Sequence, residues 1–437
     1  MKKVLIITYY WPPSGGSGVQ RWLKFTKYLR EFGWEPVIYT VENGEFPLID
    51  ASLEKDVPTG ITVLRQPIWE PYQLYKFFIG QKKTDRVVSG FLSENKKPTL
   101  TSKISTFIRG NFFIPDARMF WIRPSVKFLV KYLAENKVDA IVSNGPPHST
   151  HLIALGVKEK TNLPWLADFR DPWTAIDFYK DLMLSPIADW RHHFWEKKVI
   201  STADSVVVVS ETRRADFEKI VPRKIEVVTN GYDESDVASE NIALSTTEFS
   251  IAHIGLMNKD RNLPVFWQAL SEIVAENPSF SAQLKVKLIG KCDASVRDTI
   301  AQYGMEKWTE YIDYMPHKEV SRLQQGVSVL YLPINNVFNA EAVLPGKVFE
   351  YLAARRPILV IGPAQGDASV IIREAGAGYI SDFEDVETLK KNLSIMFELH
   401  LQGKLLVNPA AISQYSRRAL TGKMAGLLDE IKKYPHL

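Results

Sequence analysis

Short runs of β-branched and aromatic residues alternate with amphipathic stretches along the whole chain. The runs cover residues 3–8, 36–41, 61–67, 140–143, 165–169, 205–210 and 225–229 in the first half, and 250–255, 284–290, 311–314, 328–333, 358–362 and 378–381 in the second. Stretches with helical periodicity, such as 19–31 and 263–276, follow them. Repeated strand–helix units of this kind predict an α/β fold with mostly parallel sheets, covered by helices on both faces.

A polar stretch without periodicity, residues 232–247, interrupts this pattern near the middle. At 437 residues the chain also exceeds the length that one hydrophobic core usually serves. We therefore predict two Rossmann-like, doubly wound domains over 1–240 and 241–408, and a further helix in the segment 409–437. Two such domains facing each other would form a cleft at the carboxyl ends of their strands, where ligands bind in open α/β sheets.

Composition narrows the class of protein. Apolar residues make up 45% and charged residues 24% of the chain, as in ordinary globular proteins. No apolar run reaches the roughly 18 residues that a membrane-spanning helix needs. The single cysteine, Cys292, has no partner for an internal disulfide and favours a reducing cytoplasm. It also excludes a cysteine-based zinc site, and the sequence predicts neither a metal centre nor a bound cofactor.

Positive charge is concentrated in one segment, although the net charge is only +4. Residues 69–131 contain twelve Lys or Arg against four Asp or Glu, and they are rich in Trp, Tyr and Phe. Basic and aromatic residues together favour the surface of an anionic membrane, so the segment predicts peripheral membrane binding. The alternative, in which the aromatic side chains are core and the lysines are merely solvated, stays open. The segment has no recognisable nucleic-acid-binding module, so we expect no nucleic-acid partner.

A glycine-rich loop follows the first predicted strand, in the stretch YYWPPSGGSGVQRW at 9–22. Gly15 and Gly16 precede a helix, so their amides and the helix N-terminus are suited to holding an anion or a substrate. A dinucleotide fingerprint is a rival interpretation, but its third glycine would fall at Arg21. A purely structural turn is the other alternative. We interpret the loop as a substrate contact.

A second candidate lies in VLPGKVFEYL at 343–352. Pro345 and Gly346 suit the first turn of a helix whose amides point at phosphate, and Lys347 adds positive charge. Glu350 lies three residues further on the same helical face, where its carboxylate is suited to accept hydrogen bonds from the two hydroxyls of a ribose. A Lys–Glu pair on the surface of the helix is the alternative.

A third candidate lies in HIGLMNKDR at 253–261, where a strand ends at Gly255. Arg261 follows in the loop before the next helix, which places it at the strand ends of the second domain. A guanidinium there is suited to pair with a diphosphate, since its planar fork matches phosphate oxygens. A solvated loop arginine is the alternative.

Acidic, basic and aromatic residues gather at another strand end, in LADFRDPWT at 166–174. Asp168, Arg170, Asp171 and Trp173 together predict a site that binds polar hydroxyl groups. An Asp–Arg pair that only fastens the loop is the structural alternative. His148, in NGPPHSTH at 144–151, ends a neighbouring strand and is expected to face the same site, with a packing role as its alternative.

Taken together, these stretches resemble the family 4 glycosyltransferases, whose two Rossmann-like domains form the arrangement called GT-B. The likeness covers nearly the whole chain and rests on the order and spacing of YYWPPSGGSGVQR, DFRDPW, VVSETRRADF, TNGYDES, HIGLMNKDR, KVKLIG and PGKVFEYLAARRPIL. The resemblance implies that the C-terminal domain binds a nucleoside-diphosphate sugar and the N-terminal domain binds the acceptor. It also implies metal-independent transfer with retained anomeric configuration, and a last helix, within 409–437, that packs back on the first domain.

The chain departs from the family pattern at several positions. Leu256 stands where the family often has arginine, and Arg261 stands where it often has lysine, so Lys347 is the candidate substitute for the missing cation. Family members carry two glutamates eight positions apart. Glu350 matches the second of them, whereas Ala342 occupies the place of the first.

The candidate residues divide by role. Many family members place a histidine after the fifth strand, where this chain has Arg170 and Asp171. We assign catalysis to Arg170, Asp171, Arg261 and Lys347, donor binding to Gly15, Gly16, Gly255, Arg261, Pro345, Gly346, Lys347 and Glu350, and acceptor binding to His148, Asp168 and Trp173.

The resemblance thus implies a retaining glycosyltransferase that moves a sugar from a nucleoside-diphosphate sugar to a glycan or polyprenyl-linked acceptor in cell-surface polysaccharide synthesis. We expect it in the cytoplasm, bound peripherally to the inner face of the plasma membrane. Two alternatives stay open. A nucleotide-sugar epimerase or hydrolase on the same scaffold would need an acid and a base at the sugar. A non-catalytic protein that binds nucleotide sugars would be compatible with Ala342 and Leu256.

Overall fold

The computed structural model describes residues 1–46, 48–70, 100–237, 242, 244–313, 315 and 317–433. The chain forms two compact units. Unit 1 comprises Met1–Val209, Arg213–Thr229 and Arg417–Leu437, and unit 2 comprises Ser210–Thr212 and Asn230–Ser416. The basic and aromatic residues between 71 and 99, which belong to the segment predicted to bind membranes, lie outside the described residues.

Every predicted strand run overlaps a strand of the structure, and the ends differ by at most two residues. The strands of unit 1 are β1 (Lys2–Ile7), β2 (Trp34–Val41), β3 (Thr62–Gln66), β4 (Ala140–Gly145), β5 (Trp165–Phe169), β6 (Ser205–Val208) and β7 (Glu226–Val227). Those of unit 2 are β8 (Phe249–Ile254), β9 (Leu284–Ile289), β10 (Thr309–Ile312), β11 (Val329–Pro333), β12 (Ile358–Ile361) and β13 (Gly378–Ser381). The predicted α/β class is confirmed.

Both sheets are parallel and doubly wound. The strand order is β3-β2-β1-β4-β5-β6-β7 in unit 1 and β10-β9-β8-β11-β12-β13 in unit 2. The order reverses beside β1 in the first sheet and beside β8 in the second. Ligands bind at the carboxyl ends of the strands at such switch points, so the loops after β1 and β8 are the places to look for a site.

Helices connect the strands. They are α1 (Ser17–Leu29), α2 (Leu100–Phe112), α3 (Met119–Glu135), α4 (Ser149–Thr161), α5 (Pro186–Thr202), α6 (Glu211–Ile220), α7 (Pro264–Glu276), α8 (Pro278–Gln283), α9 (Ala294–Gln302), α10 (His317–Gly326), α11 (Lys347–Ala354), α12 (Asp367–Glu374), α13 (Val386–Leu401) and α14 (Arg417–Lys433). No helix among the described residues is both long enough and apolar enough to cross a membrane.

The starts of the helices fall into two kinds. Four of them, α5, α8, α9 and α13, begin after Ser185, Asn277, Asp293 and Asp385, whose side chains accept a hydrogen bond from a backbone amide of the first turn. By contrast, α1, α11 and α12 begin after Gly16, Gly346 and Gly366, and none of the three has a side-chain cap. Of these helices, α1 and α11 follow candidate loops.

The last helix, α14, belongs to unit 1. Its apolar side chains Leu420, Met424 and Leu428 are buried in one cluster with residues of α1 and β1. At its two ends Arg418 pairs with Glu31, and Asp429 pairs with Lys2. The C-terminal helix is therefore part of the core of the first unit, although unit 2 precedes it in the chain.

Candidate active site

In unit 2 a lysine lies on the glycine that ends the central strand. Gly255 follows β8 with φ +112°, a conformation that side chains rarely adopt. A β-carbon at Gly255 would overlap Nζ of Lys347, the first residue of α11. The backbone angle therefore requires glycine here, and a side chain would also displace the end of Lys347.

Arg261 is held at the same edge of the sheet. It ends a short 3-10 turn, Lys259–Arg261, in the loop after β8. Its Nε donates a hydrogen bond to Asn335 Oδ1 at 2.8 Å, and its Nη1 donates to the carbonyl oxygen of Leu256 at 2.9 Å. Asn335 follows β11, the strand beside β8. The structure thus brings together Gly255, Arg261 and Lys347, three residues predicted to bind the donor.

The ammonium of Lys347 lies in an unfavourable place for a charge. Burial, with the positive charge of Arg261 acting in the same direction and Glu350 acting against it, lowers the pKa of Lys347 from 10.5 to about 7. Within the described part of the chain, no ion pair within 4.0 Å involves Lys347. A dianionic ligand would supply a counter-charge closer than Glu350, the carboxylate that acts on Lys347 among the described residues.

Glu350 lies one turn further along α11 and is half-buried. Its Oε2 accepts a long hydrogen bond of 3.5 Å from Nε2 of Gln324. The alternative interpretation, a Lys–Glu pair on the surface, requires a contact with Lys347 that the described residues do not show. Pro345 and Gly346 precede α11, and the space around Gly346 is open.

We expect Lys347→Met to stabilise the unliganded protein at neutral pH by at least about 1 kcal/mol, or roughly 2–4 °C in Tm. The pKa of Lys347 is about 7 in the folded state, against the ordinary lysine value of 10.5. The cost of burying the ammonium is therefore fully present below pH 7 and is lost as the pH rises towards 10.5. Calorimetry at pH 6, 8 and 10 should show the advantage of the variant fading with pH. An advantage that does not change with pH would contradict the assignment, and the exposed Lys259→Met is the control.

Two residues at this site were not identified from the sequence. His253 on β8 is buried, with Nδ1 3.3 Å from the carbonyl oxygen of Tyr331 and Nε2 3.4 Å from that of Leu256. Burial, and the nearby Lys347 and Arg261, keep its pKa well below the usual value, so it is neutral. The hydroxyl oxygen of Tyr351 on α11 accepts a hydrogen bond from the backbone of Ile254 at 3.2 Å and fastens α11 to β8. A polar residue inside an apolar strand run was the signal that would have found His253.

In unit 1 Arg170 lies against the glycine-rich loop. A β-carbon at Gly18 would lie 3.1 Å from Nη1 of Arg170 and 2.9 Å from the ring of Tyr10. The amide of Arg170 donates to the carbonyl oxygen of Gly145 at 3.0 Å, and its Nη2 lies 3.2 Å from Oδ2 of Asp171. Its buried Nη1 has no hydrogen-bond partner among the residues that the structure describes. This nitrogen is therefore a donor without an acceptor, enclosed by the residues around it.

Gly15 and Gly16 set the start of α1. Gly16 has φ +85° and ψ −176°, a region that is essentially restricted to glycine. The amide of Gly15 donates to the carbonyl oxygen of Leu48 at 2.9 Å, and a β-carbon at Gly15 would lie 3.0 Å from carbons of Leu48 and Asp50. Both glycines are thus required by the loop conformation. Their predicted contact with the donor stays a prediction.

The acceptor-binding prediction for Asp168 needs correction, because the structure places this residue in the core of unit 1. Its carboxylate accepts hydrogen bonds from Nε and Nη2 of Arg21 at 2.8 and 2.9 Å, and from Nε1 of Trp22 at 2.7 Å. Asp168 and Arg21 are both fully buried. The structural alternative applies here, with Arg21 rather than Arg170 as the partner. Arg21 thus fastens β5 to α1 at the position where a dinucleotide fingerprint would require glycine.

His148 and Trp173 are stacked, with ring centroids 4.9 Å apart and planes at 5°. Nε1 of Trp173 donates to Nδ1 of His192 at 3.0 Å. Burial lowers the pKa of His148 to about 4, so this imidazole is neutral. The two predicted acceptor-binding residues are brought together beside Arg170, but they are 7% and 3% exposed and form a packed wall rather than an open face.

A buried network of charged residues beside His148 and Trp173 was not identified from the sequence either. Arg118 Nε lies 2.9 Å from Oε1 of Glu70, which accepts a hydrogen bond from the hydroxyl of Tyr9 at 3.0 Å. Asp116 accepts hydrogen bonds from the amide and the hydroxyl of Ser149 at 2.9 and 2.8 Å. Burial raises the pKa values of Tyr9 and Glu70 in spite of the opposing charge of Arg118. The network fixes the end of β1 relative to the starts of α3 and α4.

The two doubly wound sheets have the GT-B fold, and solved structures of glycosyltransferases share it. Sucrose-phosphate synthase of Thermosynechococcus elongatus matches with a TM-score of 0.64 at 12% identity over 99% of both chains. Anabaena Alr3699/HepE, solved with UDP and glucose, gives 0.60 at 13% identity over 98% of this chain and 100% of that chain. WaaG, a glycosyltransferase involved in lipopolysaccharide biosynthesis, gives 0.57 at 13% identity over 97% and 99%.

The family follows from the sequence. The model described as Glycosyltransferase Family 4 matches residues 16–236, just over half of the chain. The protein therefore belongs to glycosyltransferase family 4, as the motifs indicated. No curated protein sequence matches the chain.

Proposed function

We propose that this glycosyltransferase moves a sugar from a nucleoside-diphosphate sugar, with retained anomeric configuration, to a glycan or polyprenyl-linked acceptor in cell-surface polysaccharide synthesis. The observation that supports the donor is the meeting of Gly255, Arg261 and Lys347 at one edge of the second sheet. Two cations and an open helix start beside a bare glycine backbone suit a diphosphate in both charge and space.

In the proposed reaction, the bond between C1 of the sugar and the diphosphate oxygen breaks while an acceptor hydroxyl oxygen bonds to C1 on the same face. The proton of that hydroxyl passes to the leaving phosphate oxygen. Arg261, Lys347 and the first amides of α11 stabilise the negative charge that develops on the diphosphate. The sugar carries oxocarbenium character in the transition state. The two side-chain cations supply the charge that the leaving group needs, so the scheme requires no metal.

For the acceptor we propose unit 1. A role for Arg170 is supported by its Nη1, which lies against Gly18 without a hydrogen-bond partner among the described residues. A role for Asp171 is supported by its side chain, which lies beside that guanidinium and is 46% exposed. A carboxylate and a guanidinium next to each other suit the vicinal hydroxyls of a sugar, which both donate and accept hydrogen bonds. His148 and Trp173 support this site by packing. We propose that the protein acts at the inner face of the plasma membrane.

Product analysis tests this function. The full-length protein is incubated with a panel of nucleoside-diphosphate sugars, with and without glycan and polyprenyl-phosphate-linked acceptors, and products are followed by NMR. We expect acceptor-dependent transfer with the anomeric configuration of the donor. Free sugar or an epimer formed without acceptor would indicate a hydrolase or epimerase. Donor binding without turnover on any acceptor would indicate a non-catalytic binding protein.

Glu350→Gln is expected to weaken binding of the matching nucleoside diphosphate at least about tenfold, or about 1.4 kcal/mol. The carboxylate accepts the ribose hydroxyls as a charged acceptor, and hydrogen bonds to charged groups contribute about 1.5–3 kcal/mol each. Isothermal titration calorimetry measures the change. Glu341→Gln is the matched control, since this exposed glutamate lies nine positions before Glu350. Equal affinities for both variants would remove Glu350 from the donor site.

A further inference from the structure

Helix α2 presents its large apolar side chains to solvent. Ile104, Phe107, Ile108 and Phe112 are 51%, 40%, 43% and 65% exposed, and at 3.6 residues per turn they fall on one face of the helix. Gly110 lies on the other face, where a β-carbon would be 2.6 Å from the carbonyl oxygen of Leu182. The large apolar side chains of this helix therefore face solvent, whereas its glycine faces the protein.

Helix α5 has a second exposed apolar stripe. Ile187, Trp190 and Phe194 are 74%, 63% and 46% exposed at spacings of three and four residues. The rings of Trp190 and Phe194 stack with centroids 5.5 Å apart. The opposite face of α5 carries buried residues, among them Ala188 and His192, and anchors the helix to unit 1.

The two stripes belong to one surface. Asn111 of α2 donates to the carbonyl oxygen of Met183 at 3.2 Å and accepts from the amide of Ser185 at 2.7 Å, directly before α5. Phe178 and Met183, in the segment between, are 45% and 48% exposed. We call these nine exposed apolar residues the α2–α5 surface. Large exposed apolar patches on soluble proteins mark sites of interaction with another protein or a membrane.

Positive charge borders this surface. On α2, Lys103 and Arg109 are exposed on either side of the apolar stripe. The exposed cations of the region are Lys103, Arg109, Lys180, Arg191, Lys197 and Lys198. They outnumber its carboxylates outside the core, which are Asp177, Asp181, Asp189 and Glu159, the partner of Lys198 at 3.8 Å. Large apolar residues bordered by lysine and arginine are the pattern of elements that lie in the interface of an anionic bilayer.

We propose that the α2–α5 surface docks this protein on an anionic lipid bilayer. Trp190, Phe194 and Phe112 enter the interface, where amphipathic aromatic rings are favoured, and the bordering cations meet the lipid headgroups. This proposal specifies, and rests on, the membrane location proposed above, but it does not depend on the sugar-transfer chemistry. Net positive charge favours lipid over a second copy of the chain as the occupant, because two copies would bring like charges together.

Vesicle sedimentation tests the proposal with the full-length protein. We expect binding to phosphatidylcholine vesicles that contain phosphatidylglycerol, weaker binding to pure phosphatidylcholine, and a decrease with added salt. The double substitution Trp190→Ser and Phe194→Ser should lower the partition coefficient at least about tenfold, since it removes two large apolar anchors. Leu406→Ser, at a 66% exposed leucine of unit 2, is the matched control and should bind as the wild type does.

Three results would overturn the proposal. The wild type could stay in the supernatant with every vesicle, or the double variant could sediment as the wild type does. In the third result, the wild type does not bind vesicles but forms a concentration-dependent dimer that the double variant does not form. A second copy of the chain would then be the occupant of the surface. Nucleoside-diphosphate affinity, measured by calorimetry on each variant, reports on unit 2. Unchanged affinity with lost vesicle binding separates a failure of this surface from a failure of the proposed donor site.

Discussion

Lys347→Ala is expected to lower kcat/KM for sugar transfer at least about 100-fold, because removing one preoriented donor to a developing negative charge costs about 2.7–4 kcal/mol. The ammonium is buried against Gly255 beside Arg261, and its pKa of about 7 shows that the unliganded site disfavours its charge. In the proposed reaction a bound diphosphate reverses this preference, and the interaction grows as the leaving group gains charge. Steady-state kinetics with the donor found in the product screen measure the loss.

The dependence on pH separates Lys347 from a general effect on folding. Diphosphate binds best when Lys347 is protonated, so affinity in the wild type should fall as the pH rises through about 7, whereas Lys347→Ala should lose most of this dependence. Lys259→Ala removes an exposed lysine from the turn that holds Arg261 and should keep wild-type kinetics. If Lys259→Ala and Lys347→Ala reduce activity equally, the donor site has been placed on the wrong residues.

The fold could be predicted from the sequence because each strand and helix is encoded by a short local pattern of residues. A buried parallel strand is a short run of apolar residues, and thirteen such runs separated by helical stretches leave little choice besides two doubly wound sheets. The proximity of three candidate residues in unit 2 could be predicted for a related reason. Gly255, Arg261 and Lys347 follow strands or begin helices of one sheet, and the carboxyl ends of parallel strands meet at one edge.

Contacts between residues far apart in the chain could not be predicted from the sequence. Asp168 lies in a motif that resembles a polar binding site, but its partner Arg21 is 147 positions away. In the sequence, Arg21 is notable only because it stands where a dinucleotide fingerprint has its third glycine. The pair of Arg118 and Glu70 likewise depends on how α3 packs against the end of β1. A single sequence shows which residues are charged, but not which of them neutralise each other in the core.

The segment predicted to bind membranes shows the same limit on a larger scale. Trp121 is buried, so for this residue the core alternative is correct, whereas Phe112 is exposed only nine positions earlier. The stripe on α5 was not predicted at all. Apolar residues occur on both faces of α5, with Ile187 and Trp190 outside and Val199 inside. Its sequence therefore lacks a simple amphipathic pattern, and only the packing distinguishes the anchoring face from the exposed one.

The two units supply different chemistry to the proposed reaction. Unit 2 holds two cations beside an open helix start, which suits a dianionic leaving group. Unit 1 offers a guanidinium–carboxylate pair, Arg170 and Asp171, at the start of α1, which suits neutral hydroxyls. This division means that a substitution in unit 1 should reduce transfer without reducing affinity for the nucleotide. Gly16 provides the sharpest case.

Gly16→Ala is expected to lower transfer at least about 100-fold while leaving nucleoside-diphosphate affinity within about twofold of the wild type. The predicted contact of Gly16 with the donor would then matter in the reacting complex and not in nucleotide binding by unit 2. A side chain at φ +85° and ψ −176° costs on the order of 1–3 kcal/mol, and the loop relieves this strain by reorienting the start of α1. Gly18 then moves away from Nη1 of Arg170, and a displacement of about 1 Å at a catalytic group is enough to cost about 100-fold. Kinetics and calorimetry on the same preparation measure the two effects.

Gly33→Ala is the matched control for Gly16→Ala. Gly33 also has positive φ, +80°, and open space around its α-carbon, but it precedes β2 at the amino edge of the same sheet, opposite the candidate site. It should lower the free energy of unfolding by about 1 kcal/mol and keep transfer within about twofold. If the two variants lose stability alike and only Gly16→Ala loses transfer, the loop conformation serves the reaction. If both keep transfer, the glycine-rich loop is only a turn, and the acceptor site must be sought elsewhere in unit 1.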